Sequence, residues 1–435
     1  MVSTWLIALT VFIIYYAAVE SLKSKGILER YGISAFGPIL MIRTSRGLNF
    51  LERISKAKTF WRWVANLGIP AVFLGMIFMF VLIILMDFML LAAPPPPSEL
   101  TEPRNVLLIP GLNQFIPLIS GLIGLIVTLI VHEFSHAILS RVEGVRVKSL
   151  GVLVALIPIG GFAEPDEEEM MDKTKTTRPQ RIRIFSAGVI SNFIVAALVF
   201  GLFMVLLGGL SSNGVYVSGA FEDYPAQEAG IKPGTAIFRI NDTDTPDLET
   251  FQEEMRETRP GDVVKVYTYN ETGAVDEYTL NLTKNPHEGS NGFMGVTVLD
   301  VLQTLKNMPS QLTTVEGWLM AISMPFTLFG GFTGVYMHAF EPMGIWKNTG
   351  NLLFYVLNIL YWTGWINFYV GLFNCLPAVP LDGGRVFHES FAGILSRRYG
   401  ERGEEISMKL VSFLAFLIFA SILFSVLIPN LGFLR

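Results

Sequence analysis

Leu118–Leu139 read LISGLIGLIVTLIVHEFSHAIL, an apolar run of membrane-spanning length into which His132-Glu133-Phe134-Ser135-His136 is set. Residues four apart stand about 40° apart around an α-helix, so both imidazoles can reach one metal ion while Glu133 between them serves as a general base. No other charge lies between Leu118 and Leu139. Ionisable groups at bilayer depth are costly and mark functional sites, so an intramembrane metal site is the first expectation.

Composition agrees with a membrane setting. The chain has 435 residues, 51% hydrophobic and 16% charged, against roughly a quarter charged in ordinary soluble domains. A net charge of −5 leaves no basic footprint for nucleic acid, and the single Cys375 excludes an intramolecular disulfide or a cysteine-rich zinc module. The apolar run Trp5–Val19 lacks a basic leader and a small-residue cleavage site, and reads as a retained transmembrane helix.

Apolar runs of about 17 to 25 residues predict six spans, near 3–19, 68–92, 116–140, 184–209, 352–376 and 406–428. Basic residues collect between the first two (Lys23 to Arg62), at 141–183 and around Arg385 to Arg402. The positive-inside rule puts these three segments in the cytoplasm and the N-terminus outside. Asp87, in the second span, is expected to reach an interface, and Pro94–Pro97 a stiff outer linker. Residues 151–163, GVLVALIPIGGFA, are too short to cross; Pro158 and Gly160-Gly161 suit a re-entrant hairpin shielded by protein. Residues 318–340, broken by Pro325, Gly330, Gly331 and Gly334, read as half-inserted or interfacial.

Residues 211–300 differ in kind. Short β-type runs (215–217, 236–240, 263–269, 278–282, 295–298) alternate with turns at Asp223–Pro225, Lys232–Gly234 and Pro260-Gly261, with an amphipathic helix from Leu248 to Arg256. PAQEAGIKPGTAIFRINDT, Pro225–Thr243, resembles PDZ domains, and the resemblance implies recognition of a peptide or chain terminus by strand addition. Three glycosylation-permissive triplets, at Asn241, Asn270 and Asn281, fall in this insert, which the charge count places outside. The expected organisation is therefore N-terminal helices with a cytoplasmic segment and outer linker (1–115), first half of a core (116–210), PDZ-like domain (211–300), interfacial segment (301–351) and second half of the core with a last helix (352–435).

Zinc on two histidines needs a third protein ligand. His287, His338 and His388 are available; Asp382 is better placed, in Asn374-Cys375-Leu376-Pro377-Ala378-Val379-Pro380-Leu381-Asp382-Gly383-Gly384 at the cytoplasmic end of a span. Two prolines before it and two glycines after it suggest a carboxylate on an unwound helix end, able to swing onto a metal.

HEFSH together with NCLPAVPLDGG resembles the paired signature of the site-2 protease family of intramembrane zinc metalloproteases, and the order of hairpin, Ser186-Ala187-Gly188-Val189-Ile190-Ser191-Asn192, PDZ-like insert and LDGG resembles it too. The resemblance covers residues 116–395 and implies a polytopic α-helical membrane protein of about six spans with a re-entrant β-hairpin. It implies one Zn2+ per chain on His132, His136 and Asp382, with Glu133 as catalytic base. It further implies Asn374, Pro377 and Pro380 lining the substrate cleft and Asn192 as a polar group near the metal; Gly160 and Gly161 belong to the hairpin expected to clamp an unwound substrate. The implied partners are transmembrane protein substrates, a peptide at the PDZ-like domain and the bilayer, with no nucleic acid. Val189 departs from the family, where many members carry proline after Ala-Gly. A prenyl-protein-type protease would need a Glu-rich distal motif that is absent, a metal transporter would show repeated spans, and a catalytically dead scaffold would not keep HEFSH and Asp382 intact.

Overall fold

The protein is described by a computed structural model at residues 4–44, 47–93, 102–106, 109–286, 290–327 and 331–430. Pro94–Pro97, His287 and Gly330 lie outside the described residues. The principal elements in chain order are α1 (Thr4–Ser24), the hairpin β1 (Ile33–Phe36) and β2 (Ile39–Thr44), α2 (Leu48–Ser55), α3 (Lys58–Ala92), α4 (Leu118–Glu143), the hairpin β3 (Val147–Ala155) and β4 (Ile157–Pro165), α5 (Glu167–Met171) and α6 (Arg178–Leu207). There follow β5 (Val215–Ala220), α7 (Pro225–Ala229), β6 (Ala236–Ile240), α8 (Leu248–Glu257), β7 (Val263–Tyr269), β8 (Val275–Asn281), β9 (Val296–Leu299), α9 (Val301–Gln311) and α10 (Val315–Thr327). The chain closes with α11 (Leu352–Asn374), α12 (Asp382–Tyr399) and α13 (Arg402–Asn430). Two compact units divide it, 1–198 with 362–435, and 199–361.

Helices α3, α4, α6 and α13 are long and apolar enough to cross a membrane. Large apolar side chains stand exposed along them, among them Leu74, Ile77 and Ile84 on α3 and Phe413, Phe416 and Phe419 on α13, as lipid-facing helices require. The length of apolar runs predicts two further spans, at 3–19 and 352–376, which fall on α1 and α11. These form helices of 21 and 23 residues, but α11 carries Asn358, Thr363 and Asn367, all buried within the protein, which dilutes its apolar signal. Asp87 accepts a hydrogen bond from Ser421 Oγ of α13 at 2.8 Å.

The metal-motif helix α4 starts just after Pro117 and ends at Gly144, whose φ of 92° suits a residue without a Cβ. Val145 N–H donates to Ser140 O and Gly144 N–H to Arg141 O, the paired closing bonds of a Schellman motif. The chain then returns through β3 and β4, which extend the N-terminal hairpin into a four-stranded antiparallel sheet of order β1-β2-β3-β4. The hairpin read from 151–163 is thus two nine-residue strands on a larger sheet, with β4 at an edge. Ser149 Oγ and Arg43 Nε both donate to Glu164, at 2.7 and 3.1 Å, and hold its carboxyl below the usual carboxylate range.

Several of the arginines counted as a cytoplasmic signature are held in ion pairs with buried acids. The wholly buried Glu143 side chain at the end of α4 binds Arg62 of α3 (3.1 Å) and Arg183 of α6 (2.7 Å). Glu389 of α12 takes a two-pronged bond from Arg181, at 2.8 and 3.0 Å, with both side chains at most 5% exposed. Helix α6 runs unbroken through Val189, which is fully buried.

The second unit holds an antiparallel sheet of order β8-β7-β6-β5-β9, with Thr243–Asp244 pairing on β6. Its core is Val215, Val217, Ile237, Ile240, Val264 and Leu280. Asp247 and Thr250 cap α8 reciprocally. The strands and helix read from sequence are all present. The helix that enters 318–340, α10, has 13 residues in all, too few to cross a bilayer.

Removing one partner of a buried pair strands the other charge. Arg181→Met is expected to cost about 3 kcal/mol in denaturant unfolding of the detergent-solubilised chain, and adding Glu389→Leu to recover most of it. Equal stability of wild type and single variant would remove this pair from the account.

Candidate metal centre

Helical spacing alone brings His132 and His136 together, with ring centroids 4.8 Å apart and Nε2 atoms at 3.2 Å. Asp382 Oδ2 stands 3.2 Å from each Nε2, so the three atoms form a triangle of nearly equal sides. Four ligands at about 2.0–2.1 Å from a tetrahedral ion lie about 3.3 Å apart. The triangle is therefore one face of such a site.

The protonation pattern points the same way. His136 Nδ1–H donates to the Ile184 carbonyl at 2.8 Å, and a carbonyl can only accept, so a neutral ring presents a bare Nε2. The wholly buried Asn192 amide lies 3.2 Å from His132 Nδ1. Its oxygen finds no donor elsewhere; turned toward the ring, it accepts from Nδ1–H and leaves the second Nε2 bare as well. Three lone-pair-bearing atoms facing one another at 3.2 Å repel unless a cation lies among them. The residues fit a metal ion, and among the described residues they are the one group of three or more His, Cys, Asp or Glu so arranged.

Asp382 arrives differently from the sequence reading. The chain is irregular only over 375–381; Asp382 is itself the first residue of α12 and is buried. A helix N-terminus favours the carboxylate there. The glycines after it serve close packing instead of backbone freedom: a Cβ on Gly383 would collide with Cys375 O, and one on Gly384 would lie 2.5 Å from the carbonyl carbon of Ala378. Gly188 has a similar role that the sequence reading passed over. A Cβ there would stand 2.5 Å from His132 Cε1 and 2.6 Å from His136 Nε2, so glycine lets α6 lie flat against both rings. A glycine inside an apolar spanning helix was the available signal. Nothing in the sequence marked the Ile184 carbonyl.

Glu133, half-buried, opens onto a groove of about 290 Å3 between α4 and the sheet, lined by Ile126, Ile130, Phe134, Gly160, Gly161 and Phe162 among others. Gly160 and Gly161 of β4 face Leu129 and Ile130 of α4. Asn374, Pro377 and Pro380 do not line this groove. Asn374 Nδ2 donates to Val370 O at 3.1 Å, Pro377 is buried, and Pro380 is exposed in the 375–381 segment. His388 faces Ser407, and His338 stands near Tyr269 in the second unit, so neither joins the cluster.

A two-histidine, one-carboxylate centre on a membrane helix with an adjacent glutamate is that of a metalloendopeptidase. The model of peptidase family M50 matches residues 120–418. The chain belongs to this family, that of the site-2 proteases, and is a multi-pass membrane protein. An uncharacterised protein of Methanocaldococcus jannaschii is 28% identical over 397 residues, 90% of this chain and 86% of its own length. The zinc metalloprotease RasP of Shouchella clausii is 26% identical over 253 residues, 56% of this chain and 57% of its own. A solved PDZ domain of an SdrC-like protein from Listeria monocytogenes is 26% identical, covering 21% of this chain and 92% of that one, with a TM-score of 0.19.

Gly188→Ala is expected to weaken divalent-ion binding by at least about tenfold in a chelator competition, because steric displacement of both ligands exceeds what a helix can absorb. Unchanged affinity with an unchanged circular dichroism spectrum would refute the close-packing role.

Proposed function

We propose that the protein is a zinc-dependent intramembrane protease that hydrolyses peptide bonds within or near transmembrane helices of other membrane proteins. The observation that carries this reading is the 3.2 Å triangle of His132, His136 and Asp382 beside Glu133, which opens on an apolar groove. His132, His136 and Asp382 hold one zinc, and zinc there supplies Lewis acidity toward water and the scissile carbonyl. Glu133 accepts the proton that the attacking water loses and then donates it to the leaving amine as the C–N bond breaks. Asn192 and Ile184 hold the rings in the ligating tautomer.

A bond inside a transmembrane helix is covered by its own backbone hydrogen bonds, so the substrate must unwind to be cut. Edge strand β4 offers an unwound segment a partner alongside Glu133, with Gly160 and Gly161 keeping strand and helix in contact. Two observations favour placing this sheet within the bilayer. Tyr15 Oη donates to Pro38 O at 2.8 Å and approaches Val154 O at 3.3 Å, which ties the tips of both hairpins to α1. Tyr15 lies nine residues, or about 13 Å of helix rise, from the end of α1 at Ser24. Leu129 and Ile130, against β4, are near the middle of α4. The sheet is accordingly read as re-entrant.

The distribution of Lys and Arg orients the N-terminus and the β-rich insert outward and the ends of α4 and α12 toward the cytoplasm. The insert is read as a PDZ-like module that takes a peptide or chain end by strand addition. Asn374, Pro377 and Pro380 belong to the segment that delivers Asp382, so their contribution to substrate binding runs through that turn.

Glu133→Gln is expected to abolish cleavage of a co-expressed single-span membrane protein while zinc stoichiometry stays at the wild-type value; residual turnover by the variant would exclude Glu133 as the base. Alanines at Gly160 and Gly161 place Cβ atoms 2.8 Å from Leu129 Cδ1 and 3.1 Å from Ile130 Cγ1. Cleavage is expected to fall at least about tenfold through lost substrate positioning, and an undiminished rate would count against the strand clamp.

A further inference from the structure

A second cavity, of about 250 Å3, lies in the same unit and is lined by Glu167, Phe185, Val379, Arg385, His388 and Glu389, with methionines completing its wall. Its lining residues are neighbours of the metal group along the chain. Phe185 follows Ile184, whose carbonyl orients His136, and Arg385 is one helical turn beyond Asp382 on α12. Edge strand β4 contributes Gly160–Ala163 to the groove at Glu133 and then leads through Asp166 into α5, whose Glu167 and Met170 line the second cavity. Groove and cavity are thus successive stations along one stretch of chain.

Arg385 differs from the other arginines of this region. Arg181 forks onto Glu389 and Arg183 binds Glu143 at 2.7 Å. The one ion pair of Arg385 among the described residues is to Glu167, at 3.6 Å, with that carboxylate 70% exposed, a pairing worth little in water. Its guanidinium lies 5.3 Å from the Phe185 ring centroid. Glu389 is already neutralised by Arg181 and Arg178, and burial holds His388 below its ordinary range. The cavity therefore has a cation without a strong partner.

We infer that Arg385 and this cavity form a binding site for the carboxylate end of a peptide, the terminus made when the scissile bond is cut. The inference rests on the proteolytic reading above. Hydrolysis adds the water oxygen to the acyl carbon and sends a proton to the amine, so one fragment acquires a carboxylate. Glu133 is the one acid lining the groove and repels that new charge. Arg385 of α12, beside Glu167 of α5 in the second cavity, attracts it with a planar fork matched to a carboxylate. Arg385 is a product-binding residue that draws the cut end away from the base.

The test uses the zinc-loaded full chain in detergent and two N-acetylated apolar hexapeptides that differ only in a free carboxylate or a carboxamide at the C-terminus. Wild type is expected to bind the acid more tightly than the amide. Arg385→Gln should reduce that preference about tenfold and Arg385→Lys should keep part of it, since lysine retains charge but loses the fork. Glu167→Gln, which removes the competing carboxylate, should increase it. A preference equal in wild type and Arg385→Gln overturns the site; if that variant does not fold, an unchanged or weaker preference in Glu167→Gln overturns it. Cleavage by wild type against Glu133→Gln, measured in parallel, separates failure of this site from failure of the proteolytic reading, which would remove the product and the site with it.

Discussion

The structure turns on bringing three unshared electron pairs, from two imidazoles and a carboxylate, to 3.2 Å from one another inside a helical bundle. Such an arrangement repels itself, so the surroundings must hold it. Helix α6 supplies two of the restraints, a carbonyl for one ring and an amide for the other, and a glycine that permits both approaches. Helix α12 supplies the carboxylate from its first residue, packed so tightly on the preceding turn that only glycines fit behind it. The centre is preorganised by neighbours whose own positions depend on helix packing.

Much of this was legible from residue types and spacing. His132, Glu133 and His136 follow from a helix period, and Asp382 from its place after a proline-broken span. The β-rich insert followed from alternation and turn residues. Less visible was anything set by tertiary approach. The Ile184 carbonyl has no sequence signature, and Gly188 reads as one more small residue. The four-stranded sheet has no local signature, because its first hairpin, 33–44, is separated by about a hundred residues from the strands it joins. The apolar run 352–376 was legible as a helix, but its length gave no hint that Asn358, Thr363 and Asn367 of α11 are buried within the protein.

The arginines illustrate a similar limit. As counts they carry the orientation proposed above, and the positive-inside rule needs no more. As side chains, several are spent on Glu143 and Glu389, two acids that carry no signal in the sequence. Buried ion pairs contribute little net stability over an apolar core, and their value here is geometric: each joins a helix that carries part of the three-atom cluster to a neighbour at one defined level.

That level has a mechanical corollary. Glu143 closes α4 against arginines from two flanking helices, so the segment bearing both imidazoles cannot ride up or down relative to them without exposing an uncompensated charge. When the surrounding bilayer thickens or thins, accommodation must come from tilt of the lipid-facing helices or from local deformation of the lipid. The level of the two imidazoles relative to those flanking helices is then a property of the protein, carried unchanged from one membrane to another.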